Sequence, residues 1–266
     1  MKNQEVVLVT GCSSGVGRDI CKILSNMDYT VVATARNIDA LTNVSAELKL
    51  ELDVTDRESI HKAVDRIIQQ FHKIDILVNN AGYSVRGAIE EIDLQEVKKM
   101  FDVNVFGIMN LVQAVLPEMR KEKNGKIINI GSVSGKFTQA VNGGYCASKH
   151  ALEAISDALR LELQQYHIQS TVIEPGPMQT NFFKTLAKNS NHLLEKRDSA
   201  YITLHKADLE YRNKQKRSDS NESARRMCKI ITSKKLKPRY KVAVPLAFRI
   251  LLRFPDSLKE YLLLRY

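Results

Sequence analysis

The chain has 266 residues, of which 44% are hydrophobic and 26% charged, with a formal net charge of +10. That balance is globular and excludes wholesale disorder, a collagen-like repeat and a multi-span membrane protein; a chain of this length buries a sizeable core without covalent staples. Cys12, Cys21, Cys146 and Cys228 are too few and too scattered for a disulfide framework or a zinc cluster, and read as reduced thiols of a cytosolic protein. The first residues carry no signal-peptide pattern. No apolar run reaches the roughly 18 residues of a spanning helix, so none is expected.

The charge is unevenly spread. Residues 1–176 hold 19 Lys/Arg against 22 Asp/Glu, a net of −3, whereas residues 177–266 hold 21 against 8, a net of +13. The plainest reading of the basic third is a solvated, Lys-rich segment; a basic excess also attracts anions and acidic surfaces.

Taken in chain order, the run VVLV at 6–9 predicts a buried first strand, followed by a glycine-rich turn and a helix over 19–27. A second strand is expected at 30–34, a short helix at 38–46 and a third strand at 49–52. Thr55 with Glu58 three residues on reads as a capping box that opens a helix to about 71. Strands are expected at 74–78, 126–130 and 169–173, and long helices over 93–119, with Pro117 near its end, and over 145–166. Residues 177–218 are polar, basic and weakly periodic, as in a mobile lobe with short helices. A helix over 221–232, a seventh strand at 240–244 and two short helices over 245–266, broken at Pro255, complete the reading. Repeated βα units of this kind predict an α/β fold: one doubly wound, Rossmann-type domain over 1–266, with a central parallel sheet of about seven strands and helices on both faces. A substrate-binding lobe is expected at about 177–237 and a helical tail at about 245–266.

The first strand runs into Thr10–Gly17 as TGCSSGVG. Glycines at 11, 15 and 17 permit a tight turn and close approach of the backbone, and the helix that starts there offers free N–H groups and a positive dipole end to a diphosphate. The spacing G-x-x-x-G-x-G differs from the commoner dinucleotide fingerprint.

Further along stand Asn79-Asn80-Ala81-Gly82 after the fourth strand, Asn104 in the first long helix, Ser132 after the fifth strand, Tyr145-Cys-Ala-Ser-Lys149 at the start of the second long helix, and Pro175-Gly176 after the sixth strand. In this order and spacing the motifs resemble the short-chain dehydrogenase/reductase family over about residues 5–180. The resemblance implies an oxidoreductase of CH–OH groups that binds a nicotinamide dinucleotide. It places Gly11, Ser13, Ser14, Gly15, Val16 and Gly17 around the phosphates, and Asp53 and Val54 at the adenine. Asn80, Ala81 and Gly82 fall beside the ribose, and Pro175, Gly176 and Thr180 at the turn after the sixth strand.

The second strand ends without a carboxylate and is followed by Arg36. An acidic residue there bonds the adenine-ribose 2′-OH of NAD, whereas a guanidinium suits a 2′-phosphate. NADP(H) is therefore expected over NAD, with Ser13 adding a hydroxyl to the same phosphate.

A hydride delivered to a carbonyl leaves an alkoxide that needs a proton. Tyr145 is the expected acid. Lys149, one helical turn on, shares its face; its ammonium is expected to pull the phenol pKa down and to orient the cofactor ribose. Ser132 is expected to hold the substrate oxygen, and Asn104, by resemblance, a water that relays protons to Lys149. No metal is expected. His150 and His167 are set aside, His150 as a packing residue a further 100° round the helix, and Cys146 has no base partner to make it a nucleophile.

Substrate contacts are expected from Phe137, Val141, Phe182 and Phe183 in addition to Ser132 and Tyr145, with Val85, Leu186, Leu193, Leu194 and Tyr201 as further apolar wall. Such a lining fits a hydrophobic alcohol or ketone of steroid, retinoid or lipid type. The stretch SKKLKPRYKV and the Leu-rich tail resemble the hydroxysteroid/retinol-dehydrogenase-like branch. In the tail, Phe248, Ile250, Leu251, Leu252 and Phe254 alternate with Arg249 and Arg253. This amphipathic pattern suits packing on the protein or a partner subunit, or peripheral contact with a membrane. A cytoplasmic homodimer or homotetramer that binds no nucleic acid is expected. Two alternatives stay open: a dinucleotide-binding regulatory protein without turnover, and a β-ketoacyl-carrier-protein reductase.

Overall fold

Val, Ile and Leu dominate the short strands because those strands are covered on both faces. In the computed structural model, which describes residues 4–190 and 198–263, every residue of β1 (Val6–Val9), β4 (Ile76–Asn79) and β5 (Gly125–Ile130) is buried. With β2 (Thr30–Ala35), β3 (Leu48–Glu51), β6 (Ile168–Pro175) and β7 (Arg239–Val242), they form a seven-stranded sheet among the described residues. Its order is β3-β2-β1-β4-β5-β6-β7, and every pairing is parallel. The order reverses between β1 and β4, and at such a switch point the turns after two neighbouring strands part to leave a crevice at their C-terminal ends.

Period-two alternation sends the two sides of each strand into separate cores. Val7, Val9 and Ile128 pack with Ile20 and Leu24 of α1 (Gly15–Ser25), and with Met227 and Ile231 of a C-terminal helix over Ser220–Ile231. Val6, Leu8 and Ile127 pack on the other face with Ile60 and Ile67 of α2 (Arg57–Phe71). The same face takes Leu111 and Val115 of α4 (Gly107–Glu122) and Leu152 and Leu159 of α5 (Gly143–Leu163). The doubly wound arrangement follows directly.

The helix expected over 93–119 is three segments. α3 (Leu94–Phe101) passes into a π-helical turn, Asp102–Phe106, before α4 resumes the α-helix and carries Pro117 inside it. The wider turn accommodates Asn104, whose amide reaches sideways to a neighbouring loop rather than along its own helix. On length and composition alone the stretch Leu94–Glu122 is apolar enough to cross a membrane. Leu111, Val112, Val115 and Met119 are nevertheless buried against the sheet, so it serves as a core helix.

Two further expectations are corrected. The helix expected over 38–46 is a single 3-10 turn, Ile38–Leu41, capped by Asn37. The cap of α2 is Asp56, not Thr55: the Asp56 carboxylate accepts from the Glu58 and Ser59 amides at 2.8 and 3.3 Å. Thr55 instead donates its hydroxyl to Asp53 at 2.8 Å.

The basic C-terminal third is ordered by helices. α6 (Asn181–Ser190) and α7 (Ile202–Lys214) form the lobe, α8 is the Ser220–Ile231 helix, and α9 (Leu246–Leu251) and α10 (Asp256–Leu263) make up the tail. Leu193 and Leu194 lie outside the described residues.

Because only Asp56 supplies the cap, Asp56→Ala is expected to lower stability by about 1 kcal/mol and Thr55→Ala by less. Urea denaturation of the two variants checks this ordering.

Candidate active site

The site is built on the two turns that flank the switch point. Thr10, at the end of β1, accepts through its hydroxyl from the backbone N–H groups of Asn80 and Ala81, both at 3.0 Å. The Asn80 amide donates back to the carbonyls of Thr10 at 2.8 Å and Gly11 at 3.1 Å. The glycine turn is thereby stitched to the Asn-Asn-Ala-Gly turn after β4. Gly11 has φ +70°, and a Cβ there would lie 2.9 Å from the Ala81 Cα. At Gly17 a Cβ would strike the Asn80 amide and the Gly11 carbonyl. No side chain caps α1, whose N-cap is Ser14 and whose first turn has no acidic residue. Its first N–H groups are thus left facing the cleft, ready for an anion.

A cleft of about 580 Å³ runs from this turn to the lobe. Along its first part lie Gly11, Ser13, Ser14, Gly15, Val16, Gly17, Arg36, Asp53, Val54, Asn80, Ala81 and Gly82, and across from them Pro175, Gly176 and Thr180. All the residues expected around a dinucleotide are therefore brought together. Arg36 is exposed at the cleft and makes no hydrogen bond or ion pair with any described residue. The positive-φ glycine cradle and the uncapped helix start fit the diphosphate of a dinucleotide.

Ser132, Tyr145 and Lys149 line the inner part of the same cleft. Ser132 caps a short 3-10 turn after β5 and accepts from the Ser134 amide at 3.1 Å. Tyr145 and Lys149 come from successive turns of α5, with the ammonium 5.8 Å from the phenol ring centre. Lys149 donates to the Ile130 carbonyl at 3.0 Å. Burial dominates both groups. It pushes the Tyr145 phenol up to about 12, against the pull of the Ser132 hydroxyl and the Arg86 charge. It also brings the Lys149 ammonium down to about 8, with Glu153 working the other way. This corrects the expectation of a lowered phenol: the ammonium donates to the Ile130 carbonyl, and desolvation of the phenolate dominates.

Asn104 is completely buried behind this wall. Its side chain accepts from the Tyr83 N–H at 2.9 Å, and donates to the Tyr83 carbonyl at 2.9 Å and the Ser148 hydroxyl at 3.0 Å. The residue is thus anchored between the loop after β4 and α5.

Of the substrate contacts expected, Phe137, Phe182, Phe183 and Leu186 line the cleft. Phe182 lies 6.1 Å from the Tyr145 ring, and Phe248 of α9 stacks on Phe137 at 5.3 Å. Part of the tail therefore folds back over the cleft. Val141 does not line it: its backbone is left-handed at φ +52°, and its carbonyl receives the Gly87 N–H at 2.8 Å. Val85 packs instead with Ile92 and Met100, and Tyr201 turns its hydroxyl to Glu90 at 2.6 Å. His150 is exposed rather than packed. The sequence reading missed a polar set that lines the cleft: Arg86, Gln139, Asn142, Asn189, Tyr211 and Gln215. Only Tyr211 and Gln215 carried a signal, their i, i+4 spacing on one helix.

These features have close counterparts. A family model described as short chain dehydrogenase matches residues 5–191. The probable short-chain type dehydrogenase/reductase VdlC of Helicobacter pylori is 36% identical over 244 residues, covering 90% of this chain and 88% of that protein. The 3-ketodihydrosphingosine reductase of Bacteroides thetaiotaomicron is 34% identical over 97% of this chain and 96% of its own length. A solved short-chain dehydrogenase from Streptomyces avermitilis superposes with a TM-score of 0.83 at 29% identity, over 98% of this chain and 96% of that one. With the sheet order, the glycine cradle and the Tyr145–Lys149 pair on one cleft, these likenesses make the chain an oxidoreductase of CH–OH and keto groups, a member of the short-chain dehydrogenase family.

Proposed function

We propose that the protein is an NADP(H)-dependent oxidoreductase that interconverts a hydrophobic ketone and its alcohol. The observation that carries this reading is the convergence of Ser132, Tyr145 and Lys149 with the glycine cradle on one cleft. The chain is read as one dinucleotide-binding unit with α6 and α7 as its substrate lobe.

The glycine turn and the start of α1 hold the diphosphate, Arg36 pairs with the 2′-phosphate, and Lys149 orients the nicotinamide ribose. When bound, the dinucleotide supplies or accepts the hydride. The remaining work is proton chemistry by the chain. Ser132 donates a hydrogen bond to the substrate oxygen, where negative charge develops as the carbonyl is reduced. Tyr145 then gives its phenolic proton to that oxygen; in the oxidative direction it takes the proton back. A buried phenol is a reluctant acid, so the ammonium at Lys149 supplies the positive field that stabilises the phenolate. Asn104 holds the backbone of the loop after β4 and α5 in register behind Lys149.

Phe137, Phe182, Phe183, Leu186 and Phe248 give the substrate end an apolar wall, which suits a lipid-like or polycyclic body. The relative from Bacteroides thetaiotaomicron, named for reduction of 3-ketodihydrosphingosine, supports a long-chain ketone. A cytoplasmic homo-oligomer is proposed on the same grounds of likeness, and Phe248 packed on Phe137 favours the tail as a wall of the cleft over a membrane anchor.

With NADPH and a panel of apolar ketones, Tyr145→Phe is expected to lose roughly 10²–10⁴-fold in kcat. Unchanged turnover would remove Tyr145 from the mechanism. Replacing the guanidinium, as in Arg36→Ala, is expected to cut the preference for NADPH over NADH on the order of tenfold to a hundredfold in kcat/KM.

The Lys149 pKa is depressed, so the ammonium is present below about pH 8 and lost above it. For ketone reduction kcat/KM is therefore expected to fall about tenfold per pH unit above that value. Steady-state rates across buffers read this directly, and Lys149→Met is expected to abolish the break along with most of the activity.

A further inference from the structure

The wall of the substrate end holds more positive charge than its acidic residues balance. Arg86, on the loop after β4, is largely buried and lines the cleft. One end of its guanidinium donates to Asp208 of α7. The other oxygen of Asp208 is already taken by Arg212, whose Nε donates at 2.7 Å. Asp208 and Arg212 are 9% and 7% exposed, so this pairing is dry. Arg217 joins from the end of α7: it donates to the Arg212 carbonyl at 2.7 Å and lies 4.3 Å over the Phe183 ring. Two guanidiniums, those of Arg86 and Arg212, thus share one carboxylate, and Arg217 adds a third positive charge beside them. The Nε atoms of Arg86 and Arg217 are buried with no acceptor among the described residues. The nearest acidic neighbours in sequence are engaged elsewhere, Glu90 by Tyr201 and Glu91 by Ser199 and His205.

A guanidinium desolvated to this degree is costly unless an anion completes its pairing. Arg86 lines the cleft and keeps 12% of its side chain accessible there, so an anion in the cleft meets the guanidinium directly. Phe182, Phe183 and Leu186 line the same cleft.

We propose that the substrate is an amphiphile whose anionic head group, a carboxylate or a phosphate ester, seats against Arg86 while its apolar body lies along Phe182, Phe183 and Leu186. This rests on the ketone/alcohol reading above and names the substrate class for it. A charge-assisted contact in such a site favours the anionic compound over a neutral isostere on the order of tenfold to a hundredfold.

Two measurements on the full-length protein test it. In the first, NADPH oxidation is followed with medium-chain oxocarboxylic acids and with their methyl esters. The acids are expected to give the higher kcat/KM, and the ratio to fall towards unity in Arg86→Met, in which Asp208 keeps Arg212 as its partner. Equal or better use of the esters, or a preference that survives in the variant, overturns the proposal while leaving the oxidoreductase reading intact. In the second, decanoate, decyl phosphate and decanol are titrated by calorimetry into the NADP-loaded wild-type protein, and tighter binding of either anion than of the alcohol is expected; the better anion identifies the head group. This arm needs no turnover, so an anion preference in a protein that reduces no ketone would support the head-group site and reject the ketone chemistry. Indistinguishable binding of all three ligands overturns the site.

Discussion

The structure turns on an ammonium held inside the protein. Lys149 is buried, it donates one hydrogen bond to the Ile130 carbonyl at the end of β5, and it sits one turn of α5 beyond Tyr145. Nothing in α5 alone could keep a cation there. β5 supplies the carbonyl and the sheet the burial that makes the charge responsive near neutral pH, to which α5 itself adds only the opposing charge of Glu153. The glycine cradle then has to lie across the cleft at a fixed distance, which the Thr10–Asn80 stitch between β1 and β4 secures. Fold and site are in this sense one construction: the switch point of the sheet opens the cleft, and the elements on either side of it each bring one half of the chemistry.

The basic excess of the last third finds partners in the first two thirds. Arg239 of β7 bridges Glu153 and Asp157 of α5 at 2.8 and 2.6 Å, beside Lys136 of the first two thirds, which pairs with the same Glu153 at 2.7 Å. Glu174, nearly fully buried, has its carboxyl pushed up by burial and by Glu153, and pulled down by Lys136, Lys241 and Arg239. Arg239, part of a run that looks solvated in sequence, thus ties β7 to α5. Arg212 of α7 does something different, because it shares the Asp208 carboxylate with Arg86, which lines the cleft.

The strands were legible because short β-branched runs between turns leave little alternative when a sheet is covered twice. The glycine turn, the paired asparagines and the Tyr–Lys spacing were legible because each is a local pattern with a local physical reason. What escaped depends on contacts distant in sequence. The π-turn at Asp102–Phe106 has no signature of its own; it exists because Asn104 must meet Tyr83 and Ser148 at once. Asp56 displaced Thr55 as a cap because Thr55 was drawn to Asp53. Val141 left the substrate wall because its backbone pairs with Gly87, and Arg86 entered because a helix some hundred and twenty residues later brings Asp208 beside it. The phenol pKa went opposite to the sequence expectation for a related reason: helical spacing gives the distance between two groups, whereas burial is fixed by everything packed around them.

Direct titration of Lys149 is the closest test of the central claim. With lysine labelled at the ε-carbon, NMR spectra of the wild-type protein and of Lys149→Met identify the one resonance that disappears, and its shift with pH reports the charge. A midpoint near 8 is expected. A midpoint in the ordinary lysine range, about 10.4, would mean that the ammonium is solvated rather than enclosed, and would contradict the site as described.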